Sequence, residues 1–323
     1  MDAQMMSLFD TSLPEIIASI NPWKVATIVL LALNVKCLPF VWHYRIFNPL
    51  LRAAWLRFRS PPQPVVASGT KIPRVFLLSI TNTYAPLFEC DYNLHKSNST
   101  YFTDLDASRS YLLSCLCYDG LVTIDRELAA EGKTGMLAAI IGSVTTSFKK
   151  EIRIFEEYEV WSRILTWDRK WLYIVTHFVQ KGSSKTTGYL NAQSMRLTSN
   201  TSIQESKHSS SPPVIFATSV SKYVFKKGRL TIPPERLLRA SGLLGQTKRG
   251  QEKGLSEPLE STSDSDVPED IELERLKGMV YAESWNRLDS LHEELLKEDE
   301  LSNGVLAINH GGDISPPWRF PVV

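Results

Sequence analysis

One helical pattern followed by several long β-type runs is the feature of this sequence that most restricts its fold. From Asn98 onward, apolar residues recur mostly at helical spacing. After Gly120 the pattern changes to runs rich in β-branched and aromatic residues, of which "GMLAAIIGSVTTSFKKEI" and "EEYEVWSRILTWDRKWLYIVTHFV" are long examples. This order predicts an α+β fold in which an antiparallel sheet covers one buried helix. Neither GxGxxG nor GxxxxGK[ST] occurs, so the pattern does not favour a nucleotide-binding α/β fold.

A polar cluster directly precedes the helical pattern. The stretch "DYNLHKSNSTYFTDLDASR", from Asp91 to Arg109, places Asp91, His95 and Asn98 within eight positions. A helix N-terminus offers unpaired backbone N–H groups and a positive dipole end, both of which suit a developing negative charge. The cluster is therefore typical of a catalytic loop that leads into a helix.

This stretch resembles the loop-to-helix motif of the 4-hydroxybenzoyl-CoA thioesterase-like hotdog enzymes. In that motif an Asp lies four residues before a His, and paired Asn, an aromatic residue, an acid and an Arg follow. The matching positions are Asp91, His95, Asn98, Tyr101, Asp106 and Arg109. The resemblance covers roughly residues 71–242 and is nearest to the thioesterase superfamily member 6 group and its fungal relatives from secondary-metabolite gene clusters. Two positions depart from the motif, with Leu94 in place of a common Gly and Ser97 in place of the first Asn.

The resemblance implies a hotdog fold, a homodimer without metal or cofactor, and hydrolysis of an acyl thioester carried by CoA or by an acyl carrier protein. It also implies that Asp91 is the nucleophile or general base and that the N–H near Asn98 binds the oxyanion. We include His95 and Asp106 among the candidate catalytic residues. Fungal secondary metabolism is the context that the resemblance suggests.

Other interpretations of the same residues stay open at this point. A hotdog dehydratase or isomerase would use His95 and Asp106, and a non-catalytic module would bind acyl groups or a protein at a membrane. Asp91 and His95 can also be structural loop residues, and Asp106 can be an acid favoured by its early position in a helix. Side chains of Ser97 or Asn98 are candidates to cap the helix.

The first 59 residues are predicted to anchor the chain at a membrane. The segment from Pro22 to Trp42 is mostly apolar, but its uninterrupted run Val25–Leu33 is shorter than the roughly 20 residues that span a bilayer, unless Lys36 snorkels to the interface. The basic, aromatic segment that follows suits an anionic membrane face and would leave the remaining chain in the cytosol. A helix packed on the domain and a cleaved signal peptide are the alternatives.

Composition divides the rest of the chain. We predict a linker at 60–73, a hotdog domain at 74–244 with a mobile insertion at 182–212, a disordered linker at 245–270, a charged helix at 271–298 and an irregular tail at 299–323. The net charge of +1 gives no indication of nucleic-acid binding. The four cysteines form no CxxC pair and are expected to be reduced.

Overall fold

The computed structural model describes residues 21–59, 72–182, 188–191, 196–199, 213–245 and 267–289. The helices in these ranges are α1 (Pro22–Leu33), α2 (Val41–Arg59), α3 (Tyr101–Ala130), α4 (Pro234–Ala240) and α5 (Glu269–Asp289). The strands are β1 (Ser79–Tyr84), β2 (Leu137–Phe148), β3 (Glu157–Trp167), β4 (Leu172–Gln180), β5 (Gly188–Asn191), β6 (Arg196–Ser199), β7 (Ile215–Lys227) and β8 (Leu230–Ile232). Residues 1–20, 60–71, 183–187, 192–195, 200–212, 246–266 and 290–323 lie outside the described residues, and with them most of the two predicted linkers, most of the predicted insertion, the end of the predicted charged helix and the whole predicted tail.

One sheet holds all eight described strands in the order β2-β7-β4-β3-β1-β5-β6, with β8 added to β7. Its neighbours are antiparallel except for β1 and β5, which are parallel. The turn predicted at "TWDRKW" joins β3 to β4, where Asp168 Oδ1 accepts hydrogen bonds from the N–H groups of Lys170 and Trp171. Both β5 and β6 fall within the stretch 182–212.

The central helix α3 packs against this sheet. Leu112 and Ile124 of α3 are fully buried in one hydrophobic cluster with Ile164 of β3 and Ile174 of β4. The predicted α+β class and the hotdog arrangement, an antiparallel sheet around a central helix, are confirmed.

Helix α3 is longer than the sequence pattern predicts. It continues for ten residues beyond Gly120 and ends at Ala130. A Cβ at Gly120 would lie 2.6 Å from the carbonyl oxygen of Leu237 in α4. Gly120 therefore lets α4 pack closely against α3, and reading it as the end of the helix was wrong.

The chain divides into two compact units, residues 1–279 and 280–323. The described part of the second unit is the C-terminal portion of α5. Within the first unit, α5 packs closely on β3, since a Cβ at Gly278 would lie 2.4 Å from the carbonyl oxygen of Leu165.

The single apolar anchor helix predicted for the N-terminus is not found. The apolar stretch is divided between α1, a short 3₁₀ turn at Val35–Cys37 and the start of α2. None of the described helices has both the length and the apolar character needed to cross a membrane. Instead, α2 packs on α3, where Ser110 Oγ donates a hydrogen bond to the Ile46 carbonyl at 2.6 Å.

Lys36 is buried rather than snorkelling, because it belongs to a group of charged side chains inside the protein. Its Nζ lies 2.8 Å from Glu89 Oε2 and 2.9 Å from Asp104 Oδ1. Lys96 Nζ bonds to the same two carboxylates, at 2.5 Å and 3.0 Å. We call this group the buried charge cluster. Its members are Lys36, Arg45, Glu89, Lys96, Asp104 and Tyr158.

Asp104 is the centre of the buried charge cluster. Burial alone would raise the pKa of this carboxyl group, but three cations and the hydroxyl of Tyr158 hold that pKa well below its usual range. Arg45 Nη2 lies 2.7 Å from Oδ1, and Tyr158 donates to Oδ2 at 2.5 Å. The carboxylate is therefore ionised in a buried site, and its charge is balanced only when the N-terminal segment is in place.

Replacing Lys36 by methionine is expected to destabilise the protein. Removal of one partner of a buried ion pair typically costs 3–5 kcal/mol, and we expect about 3 kcal/mol because Lys96 and Arg45 remain beside Asp104. Urea unfolding of the full chain measures this difference. Lys24→Met, in the exposed helix α1, is the matched control and should change stability by less than about 0.5 kcal/mol. Equal stability of the two variants would contradict the structural role of Lys36.

Candidate active site

The candidate catalytic loop is a tight hairpin at residues 91–95. The N–H of Asp91 donates to the His95 carbonyl at 2.8 Å, and the N–H of Leu94 donates back to the Asp91 carbonyl at 3.0 Å. Cys90 and Lys96 face each other across the base of the hairpin as an antiparallel bridge. Backbone hydrogen bonds thus fix the shape of the loop that carries Asp91 and His95.

Leu94 adopts a left-handed backbone conformation, with φ of +59°. This conformation is unfavourable for a residue with a Cβ but natural for glycine. The resemblance places a common Gly at this position, so the leucine keeps the backbone shape that a glycine would adopt. A hydrogen bond of 3.1 Å from the Ile154 N–H to the Leu94 carbonyl helps to hold it.

Asp91 presents one engaged and one unengaged carboxylate oxygen. Its Oδ1 accepts hydrogen bonds from the backbone N–H groups of Asn93, at 2.9 Å, and His95, at 3.3 Å. Over the described ranges, no donor bonds to Oδ2. The side chain is half-buried, so its orientation is fixed by the loop while the second oxygen is available for a proton or an electrophile.

The start of the helix follows directly. A 3₁₀ turn at Asn98–Thr100 precedes α3. The N–H of Ser97 donates to the Glu89 carbonyl and that of Thr100 to the Ser97 carbonyl. No backbone acceptor in the described part of the chain takes the N–H groups of Asn98 and Ser99, which lie between them. No side chain of the described ranges accepts from them either. Within these ranges, the helix start therefore offers two adjacent donors without an acceptor, as an oxyanion site requires.

Side-chain capping by Ser97 or Asn98 is not found. Ser97 precedes the 3₁₀ turn without a side-chain bond to the backbone there, and its hydroxyl instead lies 3.1 Å from that of Ser99. The Asn98 side chain is exposed. What this position supplies is its backbone N–H, which is the group that the resemblance assigns to the oxyanion.

His95 contributes mainly through its backbone. It forms an antiparallel bridge with Arg153, and its N–H orients Asp91. The imidazole is half-buried and makes no hydrogen bond to other residues of the described ranges. Its position beside Asp91 fits a role in shaping the loop.

Asp106 lies apart from the other three candidates. It is eight residues beyond Asn98, about 12 Å along the helix axis. Its Oδ1 pairs with Arg109 Nη2 at 2.5 Å, and the buried Arg109 also donates to Ser221 Oγ at 2.5 Å. The structure therefore joins Asp91, His95 and Asn98 in one loop and leaves Asp106 on the wall of a cavity beside α3.

The buried charge cluster was missed by the sequence analysis. It lies at the base of the catalytic loop, because Glu89 and Lys96 flank residues 90–95 and their side chains meet. Aromatic rings also contact it, with Lys96 Nζ 5.3 Å from the centre of the Tyr101 ring. The available signal was Lys36 itself, since a lysine inside an apolar segment needs a partner when that segment is buried.

Within the described ranges, no group of three or more His, Cys, Asp or Glu side chains is arranged to hold a metal ion. The free thiols of Cys115 and Cys117 lie on α3, and burial raises the pKa of each to about 12. Neither thiol is suited to nucleophilic attack at neutral pH.

Residues 86–218 match the Thioesterase-like superfamily, a range that includes the loop, α3 and most of the sheet. The chain is 36% identical to the probable thioesterase atnL of Emericella nidulans, over 82% of this chain and 86% of that protein. It is 31% identical to the thioesterase poxG of Penicillium oxalicum, over 85% and 87%. The chain therefore belongs to the thioesterase-like superfamily. The resemblance stated from the sequence and the acyl thioesterase activity that it implies are confirmed.

A solved structure of a 4-hydroxybenzoyl CoA thioesterase mutant in complex with 4-hydroxybenzoyl CoA also aligns with this chain. The alignment covers 50% of this chain and 96% of that one, at 12% identity and a TM-score of 0.33.

Replacing Leu94 by glycine is expected to stabilise the protein relative to Leu94→Ala. Alanine keeps the Cβ that strains a left-handed residue, whereas glycine removes it, and the difference should be about 1 kcal/mol in the free energy of unfolding. Chemical denaturation of the two variants measures it. If alanine were the more stable of the two, the loop in solution would not hold Leu94 in this conformation.

Proposed function

We propose that the protein hydrolyses acyl-CoA thioesters at the loop formed by residues 91–100. The observation that carries this proposal is the pairing, within one loop, of a fixed carboxylate with a free oxygen and two free N–H groups at a helix start. Membership in the thioesterase-like superfamily supports it. Asp91 is the catalytic acid–base or nucleophilic group, and the N–H groups of Asn98 and Ser99 bind the carbonyl oxygen.

The reaction uses one oxygen of Asp91. Acting as a base, Oδ2 removes a proton from water while the water oxygen bonds to the thioester carbon, and the carbonyl oxygen becomes negative. The N–H groups of Asn98 and Ser99 stabilise that charge, a contribution typically of about 2.7–4 kcal/mol for one donor. The carbon–sulfur bond then breaks, and the proton held by Asp91 passes to the leaving thiolate.

An acyl carrier protein is the other donor that we propose. Coenzyme A and a carrier protein present the same thioester on the same kind of arm, so the chemistry at Asp91 is identical for both. Fungal secondary metabolism remains the context expected from the resemblance. Parallel assays with an acyl-CoA and an acylated carrier protein distinguish the two donors through the ratio of their kcat/KM values.

A homodimer is the assembly that we propose. The edge strand β2 is twelve residues long, is paired only with β7 among the described strands, and exposes Ile140 and Phe148. Long exposed edges of this kind are usually covered in native proteins, and a second copy of β2 would extend the sheet. Sedimentation velocity of the full chain tests this, and a monomer at micromolar concentration would contradict it.

We further propose that α1 lies in a membrane surface, with the enzyme body on the cytosolic side. None of the residues of α1 is buried, although it is strongly apolar; Trp23 and Ile28 are 80% and 65% exposed. From Pro22 to Arg59 the chain contains no Asp or Glu. Lys24, Arg52 and Arg59 are exposed and lie outside the buried charge cluster. An exposed apolar helix with such basic neighbours suits an anionic lipid surface.

Asp91→Asn is expected to abolish thiol release while the fold is retained. The amide cannot take a proton or attack the carbonyl, so kcat should fall by about 100-fold or more. Release of free CoA from a panel of acyl-CoAs measures this in the full chain. Asp270→Asn, at the exposed start of α5, is the matched control and should keep wild-type turnover. Unchanged activity of Asp91→Asn would disprove the assignment. A single turnover of the wild type in water labelled with oxygen-18 then distinguishes a general-base role of Asp91 from a nucleophilic one.

Ile28→Asp is expected to weaken binding to vesicles of phosphatidylcholine and phosphatidylserine. Burial of an isoleucine side chain contributes roughly 1.5–3 kcal/mol, so the partition coefficient should fall by about tenfold or more. Vesicle flotation measures the bound fraction. Leu230→Asp, a similar change on β8, is the control and should bind as the wild type does. Equal binding of both variants would show that α1 does not insert.

A further inference from the structure

A cavity of about 900 Å³ lies between α2, α3 and β2. Its floor contains the buried side chains of Leu113, Leu137 and Tyr223. Its outer walls are the more exposed side chains of Phe47 from α2 and Met136 just before β2. The volume is that of a typical small-molecule pocket, and most of the lining is apolar.

The carboxylates that line the cavity lie at its two ends along α3, and Ser110, Ser114 and Tyr118 line it between them. Asp106 lies at the end nearer the helix start and is paired with Arg109. At the other end, Asp125 accepts hydrogen bonds from the Leu137 N–H at 2.9 Å and from Lys227 Nζ at 2.7 Å. The carboxylates at the two ends already have partners, and Ser110 donates to the Ile46 carbonyl. The lining between the ends is therefore apolar apart from the hydroxyl groups of Ser114 and Tyr118.

The cavity is elongated along the central helix. Its lining residues on α3 recur at spacings of three and four from Asp106 to Asp125, which is one face of the helix. That face is about 28 Å long at 1.5 Å per residue. A long apolar space suits an extended aliphatic chain better than a compact aromatic group.

About two turns of α3 separate the near end of the cavity from the proposed catalytic loop. Asp106 lies about 12 Å along the axis from Asn98, whose N–H we assign to the oxyanion. An acyl chain whose carbonyl sits at the helix start can therefore enter the cavity at the Asp106 end and extend along α3. Helix α3 would thus position both the thioester group and the acyl chain of the substrate.

We propose that this cavity binds the acyl chain of the substrate and that the protein therefore prefers long aliphatic acyl thioesters. The inference rests on the proposed function and deepens it by naming the substrate class. Helix α2 supplies one wall, through Ile46, Phe47 and Leu50. The N-terminal segment is thus part of the binding site. A second copy of the chain is the other candidate occupant, and the experiment distinguishes it from an acyl chain.

Val122→Trp is the test, because Val122 lies on α3, lines the cavity and is 38% exposed, so that the larger side chain can fill the space without disturbing the core. We expect the ratio of kcat/KM for palmitoyl-CoA to that for butyryl-CoA to fall by about tenfold or more, since each excluded methylene costs about fourfold. Leu230→Trp is the matched control. Leu230 is 39% exposed on β8, outside the cavity, and its variant should keep the wild-type ratio.

A binding measurement that does not depend on turnover separates this proposal from the proposed function. The probe is cis-parinaric acid, a fluorescent fatty acid, titrated below its micelle concentration into the full chain carrying Asp91→Asn. Saturable binding that Val122→Trp weakens and Leu230→Trp leaves intact supports the cavity, even if no acyl-CoA is hydrolysed by the wild type. Binding that both tryptophan variants leave unchanged overturns it. The proposal is also overturned if Val122→Trp turns a dimer into a monomer in sedimentation while the ratio of kcat/KM for palmitoyl-CoA to that for butyryl-CoA is unchanged. The cavity would then be an interface between two copies of the chain.

Discussion

The ion pairs of Asp104 with Lys36, Lys96 and Arg45 join three separate parts of this protein. Lys36 and Arg45 come from the N-terminal segment, Lys96 from the end of the catalytic loop, and Asp104 from the first turn of the central helix. Because the carboxylate is fully buried, it is stable only when these cations surround it. The positions of the loop and of the N-terminal segment are therefore coupled through one buried charge.

This coupling bears on the catalytic geometry. Glu89 and Lys96 stand at the two ends of the hairpin that carries Asp91, and the Glu89 carboxylate accepts hydrogen bonds from both Lys96 and Lys36. The carbonyl of Glu89 also accepts from the Ser97 N–H and the Thr100 hydroxyl. The same residue thus fixes the base of the loop through its side chain and the start of the helix through its backbone. Replacing the cluster by apolar residues could preserve stability, but it would not impose these directional contacts.

The sequence was sufficient for features that depend on local pattern. Alternation and β-branched residues located the long strands but not β5 and β6, which fall in the stretch predicted as a mobile insertion. The register from Asp91 to Asn98 located the loop and the helix start. It was insufficient where a residue's role depends on a distant partner. Gly120 interrupts a helical pattern locally, yet it is explained by Leu237, more than a hundred residues later. Lys36 has the local signature of a snorkelling lysine, yet its partners are Glu89 and Asp104. Asp106 matched a motif position, but only the folded helix shows its distance from Asn98.

The N-terminal segment connects these observations. Helix α2 is held to the domain by Arg45 at Asp104, by Arg57 at Asp119 and by the hydrogen bond between Ser110 and Ile46. Its apolar side chains line the cavity, and the exposed helix α1 precedes it. A helix attached at this many points cannot act as a detached tether. Under the proposals made above, membrane contact and chain binding use consecutive helices of the N-terminal segment, so the part of the chain that contacts lipid continues directly into a wall of the acyl-chain cavity.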